Sequence, residues 1–223
     1  FAVVSAWLLT VWRVGLVFPG GIYSSALMAV IVGILVLQPD IGMTLMVLLT
    51  WGFQMFLAGM PMLLVICFVA LAPLGLVVAY FTLGHVHKRI NQFWEGGAWQ
   101  VEKARDSFAN GGLFGVGPGD GTVKHHLPDA HSDFIFAVAG EEFGALACLT
   151  LLTLYAFIVL RGFSRAMSDE GLFCLIASAS LLLQFGVQAA IHMASSVHLI
   201  PTKGMTLPLI SYGGSSLVAS GLT

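Results

Sequence analysis

Apolar residues run along this chain in long blocks. They show neither the two-residue alternation of a half-buried strand nor the narrow stripe of a soluble amphipathic helix. The blocks cover about residues 1–10, 23–37, 43–57, 62–83, 134–160, 171–193 and 209–223, separated by breaks such as "VFPGG", "QPDIG", "AGMP" and "RGFSRAMSDE". A helix crossing a bilayer takes about 20 apolar residues. The pattern therefore predicts an all-α fold, a polytopic transmembrane helical bundle read as one membrane domain over 1–223. The outermost blocks are cut short by the chain ends, so the chain is expected to be an internal stretch of a longer protein, with spans missing on both sides.

One interruption is unlike the others. Residues 84–133 form a connection far longer than the 2–8 residues or so usual between bundled helices. It carries apolar anchors at Phe93, Trp94, Trp99, Phe108, Leu113 and Phe114, suited to docking on the membrane face. Within it, Gln100–Gly112 predicts a short amphipathic helix with Val101, Ala104 and Phe108 on one side and Gly111 or Gly112 as its stop. The next segment, "GGLFGVGPGDGTVK", has glycines at 115, 117, 119 and 121, which permit positive φ and close backbone approach. No Gly-Lys-Ser/Thr follows, which excludes a Walker loop. The segment reads as a rigid turn or as a cradle of backbone N–H groups for an anion.

Composition sharpens the class. The chain is 58% hydrophobic and 9% charged, against roughly 25% charged for soluble domains, and its mean hydropathy is +0.94. A net charge of −2 leaves no electrostatic footprint for nucleic acid. Cys67, Cys148 and Cys174 all sit in apolar blocks without CxxC spacing and read as small buried residues, neither a disulfide nor a zinc framework. Alternating the connections puts Arg13, Arg161 and Arg165 on one side and Lys88, Arg89, Lys103, Arg105, Lys124 and Lys203 on the other. The positive-inside rule then favours a cytoplasmic long loop, but the rule is weak for a long loop whose acids balance its bases.

The densest polar cluster is "HHLPDAHSDF", residues 125–134. His125, His126 and His131 with Asp129 or Asp133 suggest a metal site, although Pro128 breaks any helix that would set ligand spacing. The same stretch reads as a solvated loop end in which Ser132 or Asp133 caps the next helix. A third reading takes Asp133 as functional, because ionisable groups where a loop re-enters the bilayer are costly to keep. Glu141 and Glu142 follow in the same block; they face a polar cavity or mark a span that begins later. Asp40 in "QPDIG" reads as a structural turn residue or as part of a site.

Four segments, "QPDIGMT" (38–44), "FANGGLFGVGPGDGTVK" (108–124), "LPDAHSDFIFAVAGEEFG" (127–144) and "LIPTKGMTLPLISYGGSS" (199–216), resemble the SEDS family of FtsW, RodA and SpoVE. The last of them is most like the FtsW branch. The resemblance implies a peptidoglycan glycosyltransferase that polymerises lipid II during bacterial cell division, a multi-pass protein of the cytoplasmic (inner) membrane with residues 84–133 extracytoplasmic. A lipid II flippase and a non-catalytic scaffold recruiting a transpeptidase are the alternatives.

By the same resemblance Asp133 is the catalytic base. It would take the proton of the acceptor 4-hydroxyl during an inverting, single displacement of undecaprenyl pyrophosphate. Lys203 and Lys124 are the candidates to meet the pyrophosphate, with Gly117 and Gly119 of the glycine-rich backbone; Lys203 reads equally as a lysine snorkelling at the interface. His131 would orient Asp133, and Ser211 and Tyr212 would shape the mouth of a substrate groove. A divalent cation, Mg or Mn, is expected without assignable protein ligands. The expected partners are a penicillin-binding transpeptidase and other division proteins.

Overall fold

The computed structural model describes residues 1–15, 18–38, 40–61, 63, 80–81, 84, 87, 91, 99–126, 130–168, 171–200 and 205–212. Among them the regular structure is all helical. The α-helices are α1 (Ala2–Arg13), α2 (Gly20–Leu37), α3 (Ile41–Leu57), α4 (Trp99–Gly111), α5 (Ile135–Ala166) and α6 (Leu172–Ser196), with a 3-10 turn at Val123–His126. Helices α2, α5 and α6 are long and apolar enough to cross a membrane, and α1 and α3 are shorter apolar helices. Pro19 and Asp40 stand at the N-caps of α2 and α3, so both helices begin slightly before the apolar blocks do. Asp40 accepts a hydrogen bond from the Met43 N–H at 3.1 Å, a structural capping role. Most of the expected span 62–83 lies outside the described residues, as does 213–223. Residues 209–212 form a turn where the apolar pattern suggested the start of the last span.

The chain divides into two compact units. The first comprises Phe1–Thr82 and Val159–Gln184. Its surface is apolar: Val3, Val4, Trp7, Ile22, Val30, Ile34 and Leu37 are all exposed. Its interior is polar at the helix crossings. Ser5 and Ser24 join α1 to α2 through their hydroxyls at 2.7 Å, and Trp51 Nε1 on α3 donates to Ser24 Oγ at 3.2 Å. Gln54 Nε2 donates to the Ala2 carbonyl (2.8 Å) and to Ser180 Oγ (3.0 Å). All of these side chains except Trp51 are at most 2% exposed. Between them pack Ala6, Leu9, Ala58, Ile176 and Ala177. Apolar-out with small and polar residues inside is what a bilayer demands, since lipid gives helices no hydrophobic reason to associate. Cys174, expected to be buried, is exposed and free on this apolar exterior, while Cys148 is buried and free; Cys67 lies outside the described residues.

The second unit comprises Leu83–Ile158 and Phe185–Thr223. Its core is Phe136, Cys148, Tyr155, Ala189, Met193 and Leu207, joined by Phe108 from α4. A second cluster of Ala104, Ala130, Phe134 and Ala137 seats α4 against the start of α5. The expected amphipathic helix thus forms and buries Ala104, with Phe108 packed so closely that a Cβ at Gly140 would overlap its ring. Of the other loop anchors, Leu113 and Phe114 are exposed; Phe93 and Trp94, and the side chain of Trp99, lie outside the described residues.

Ser24→Ala removes Trp51's acceptor and Ser5's partner, and is expected to destabilise the first unit by about 1 kcal/mol. The readout is a lowered melting midpoint of the detergent-solubilised protein. Ser178→Ala, whose exposed hydroxyl only turns back to the Cys174 carbonyl, should leave that midpoint unchanged.

Candidate active site

Helix α5 is interrupted at Gly144, where φ is +79° and ψ −179°. A continuous α-helix would bond the N–H of Ala145 to the carbonyl of Glu141, and that of Leu146 to Glu142. The break frees all four groups, and the glycine-rich loop takes each of them. Ala145 N donates to Gly112 O (2.9 Å) and Leu146 N to Leu113 O (3.3 Å), while Val116 N donates to Glu141 O (3.0 Å) and Gly117 N to Glu142 O (3.1 Å). Backbones can meet this closely only without a side chain between them. A Cβ on Gly144 would fall on the Leu113 carbonyl, and one on Gly115 on the Glu142 carbonyl. The run from 145 to 166 is by itself long enough to span a bilayer, which takes about 20 residues.

The two carboxylates before the break complete the docking. Glu141 is fully buried. Its Oε1 accepts from Asn110 Nδ2 (2.9 Å), Thr122 N (2.8 Å) and Val123 N (2.9 Å), and its Oε2 from Lys124 N (3.2 Å). An ionised carboxylate, which only accepts, suits this ring of donors. Glu142 takes the Lys124 ammonium at 2.5 Å and the N–H of Gly119, and the same ammonium donates to the Gly119 carbonyl at 2.8 Å. The N–H cradle suggested by the glycines therefore exists, and the anions in it are the chain's own glutamates.

Asp133 lies in the turn between this loop and α5, partly buried. Residues 205–212 form a strap that clamps the turn. Ser211, 1% exposed, donates from Oγ to the Ser132 carbonyl at 2.7 Å while accepting from Leu207 N at 2.7 Å. Tyr212 N donates to the His131 carbonyl at 3.0 Å. Both residues before Asp133 are thus held by backbone-level bonds. The strap is anchored in turn by the Tyr155 hydroxyl on the Pro208 carbonyl, by Gln188 Nε2 on the Thr206 carbonyl (2.9 Å), and by His192 Nδ1 on the Met205 carbonyl (2.7 Å).

The structure brings some expected site residues together and assigns others elsewhere. Asp133, His131, Ser211 and Tyr212 meet at the strap; the His131 and Tyr212 side chains are exposed. Lys124, Gly117 and Gly119 belong to the loop docked on α5, with their polar groups engaged there. Lys203 lies outside the described residues, as do Asp129 and the side chains of His125 and His126. Among the described residues no group of three or more His, Cys, Asp or Glu gathers to hold a metal ion. His192, fully buried on α6 and within the electrostatic reach of Asp133, was not anticipated. The signal for it was a histidine inside an apolar block, an ionisable group at a costly depth.

Residues 19–223 match the FtsW/RodA/SpoVE family, described as cell cycle proteins. The chain is 40% identical to the probable peptidoglycan glycosyltransferase FtsW of Caulobacter vibrioides, over 99% of this chain and 57% of that protein. It is 36% identical to the protein of the same name from Legionella pneumophila, over 89% of this chain and 53% of the relative. Among solved structures it resembles, with a TM-score of 0.74 and 27% identity, a chain from work on the structural coordination of polymerization and crosslinking by a peptidoglycan synthase complex; the match covers 97% of this chain and 63% of that one. The chain thus spans little more than half the length of the curated relatives it matches.

Glu141→Gln places an amide N–H₂ against four donors. It is expected to cost about 1–3 kcal/mol and to speed hydrogen exchange selectively at the Thr122, Val123 and Lys124 amides. Glu142→Gln, which keeps the ring around Glu141 intact, should leave exchange at Thr122 and Val123 unchanged.

Proposed function

This chain belongs to the FtsW/RodA/SpoVE family and is FtsW-like, and we propose that the complete protein is a peptidoglycan glycosyltransferase polymerising lipid II during bacterial cell division. It is a multi-pass membrane protein, and on this reading residues 84–133 face the outside of the inner membrane. The observation that carries the proposal is Asp133: a carboxylate on a turn whose two preceding carbonyls are clamped by the buried Ser211 and by Tyr212 N. A base must be held at fixed geometry to act, and a strap bonded to the backbone beside it supplies that hold.

In this mechanism Asp133 takes the proton of the acceptor sugar's 4-hydroxyl as its oxygen attacks C1 of the donor. The donor's α-linkage becomes a β-linkage in one in-line displacement. Such a step needs one base on the attacking face and charge stabilisation on the leaving face. Lys203 is the cation proposed to meet the departing pyrophosphate, since the Lys124 ammonium is committed to Glu142. Lys124, Gly117 and Gly119 serve the site by building the loop docked on α5, and the exposed His131 and Tyr212 side chains border the approach to Asp133. The described carboxylates do not assemble a donor set fitting a Mg or Mn ion, because Glu141 and Glu142 are occupied by their own loop; no step is routed through a cation. The resemblance to a chain from a complex of polymerization and crosslinking supports a crosslinking penicillin-binding transpeptidase as partner.

In liposomes carrying lipid II and the full-length protein with its transpeptidase, Asp133→Asn is expected to slow glycan-strand formation by at least about 100-fold without lowering the melting midpoint. Undiminished polymerisation would remove Asp133 as base. Loss of lipid II flipping with polymerisation retained would instead favour a transporter. Ser211→Ala, which leaves the Leu207 N–H without its acceptor, should cost about 1–3 kcal/mol of stability and reduce the turnover rate more than it raises the substrate concentration at half-saturation.

A further inference from the structure

His192 is fully buried. Its Nδ1 lies 2.7 Å from the Met205 carbonyl. A carbonyl only accepts, so Nδ1 carries the proton and, in the neutral ring, Nε2 presents a bare lone pair. That Nε2 is buried with no hydrogen-bond partner. Leaving a buried polar atom unmatched is costly, and such atoms in native folds call for a reason beyond packing. The strap joins this ring to the catalytic turn: one end bonds His192 at Met205, the other bonds Ser132 and His131 beside Asp133. Asp133 is the charged group whose field acts on the imidazole.

We infer that His192 is a positioning residue acting through Asp133, its oriented Nε2 lone pair receiving the proton that Asp133 collects and so resetting the base for the next sugar. The inference rests on the glycosyltransferase reading. The steps balance: the acceptor O–H bond breaks as the Asp133 O–H bond forms, then that bond breaks as the Nε2–H bond forms. The imidazolium finally releases its proton to water. The transient positive ring beside an ionised Asp133 is charge-compensated, which a buried cation requires. The Met205 hydrogen bond selects the tautomer that leaves Nε2 free, as the partner of one ring nitrogen sets the role of the other.

The test uses the full-length protein with its transpeptidase in lipid II liposomes. His192→Asn keeps an amide N–H for the Met205 carbonyl and removes the titratable lone pair. It is expected to lower kcat about tenfold or more with KM unchanged, and to move the acid limb of the kcat profile down to that of a lone carboxylate. An unchanged kcat and pH profile would overturn the inference. A second measurement needs no variant of His192: ¹⁵N-histidine NMR of the wild-type protein should show Nδ1 protonated and Nε2 bare at neutral pH, with the His192 signals shifting in Asp133→Asn. The opposite tautomer, or signals indifferent to Asp133→Asn, would also overturn it. Activity lost in Asp133→Asn but untouched in His192→Asn sinks this inference alone, whereas activity surviving in Asp133→Asn sinks the underlying reading.

Discussion

The break in α5 at Gly144 is the constraint on which the second unit depends. An interrupted helix exposes donors and acceptors that a bilayer cannot solvate, so irregular backbone there must be satisfied by protein. Here the partners come from residues 112–117, bonded at all four freed positions. Once those bonds are made, the loop has nowhere else to go. Its following segment is drawn over α5, and the buried Glu141 collects three successive N–H groups from Thr122, Val123 and Lys124. Glu142 takes the Lys124 ammonium. A loop that is long and glycine-rich in sequence is therefore held down at backbone level.

The same logic runs through the strap. Residues 205–212 form no regular element, yet their backbone groups are spoken for by Gln188, His192, Tyr155, Ser211 and the turn before Asp133. Asp133 sits between two irregular segments, each pinned to a rigid helix. This is how a loop residue acquires the fixed position that proton transfer needs. The first unit uses polar side chains for a different end: Ser5, Ser24, Thr50, Gln54 and Ser180 lie in its interior, and the hydroxyls and amide at the crossings join helices that lipid would otherwise leave indifferent to one another.

Much of this was legible in the sequence. Apolar blocks predicted helices because bilayer thickness leaves few other ways to bury such runs. Asp40 ahead of Ile41 had the look of a turn residue and is a cap. Asp133 stood out because a carboxylate at the edge of an apolar block is costly. The glycines at 115, 117 and 119 suggested both a turn and an anion cradle, and both descriptions hold of the loop's own contacts. Other features were hidden. "AVAGEEFGALACL" looks like one helix, since Gly144 differs from any tolerated helical glycine only through the residues that meet it.

By itself, then, the sequence determined that the chain is helical and membrane-bound, and its motifs marked the family and the acidic residue to watch. Periodicity, apolar length and local motifs are properties of neighbours along the chain, and neighbours suffice to set them. Tertiary structure alone decided that Glu141 and Glu142 secure a loop, that Lys124 is engaged with Glu142, that Ser211 holds the Asp133 turn, and that His192 keeps a bare nitrogen within reach of Asp133's field. Each of those is a hydrogen bond, or a missing one, between groups far apart in sequence. Only the folded chain says which donor finds which acceptor.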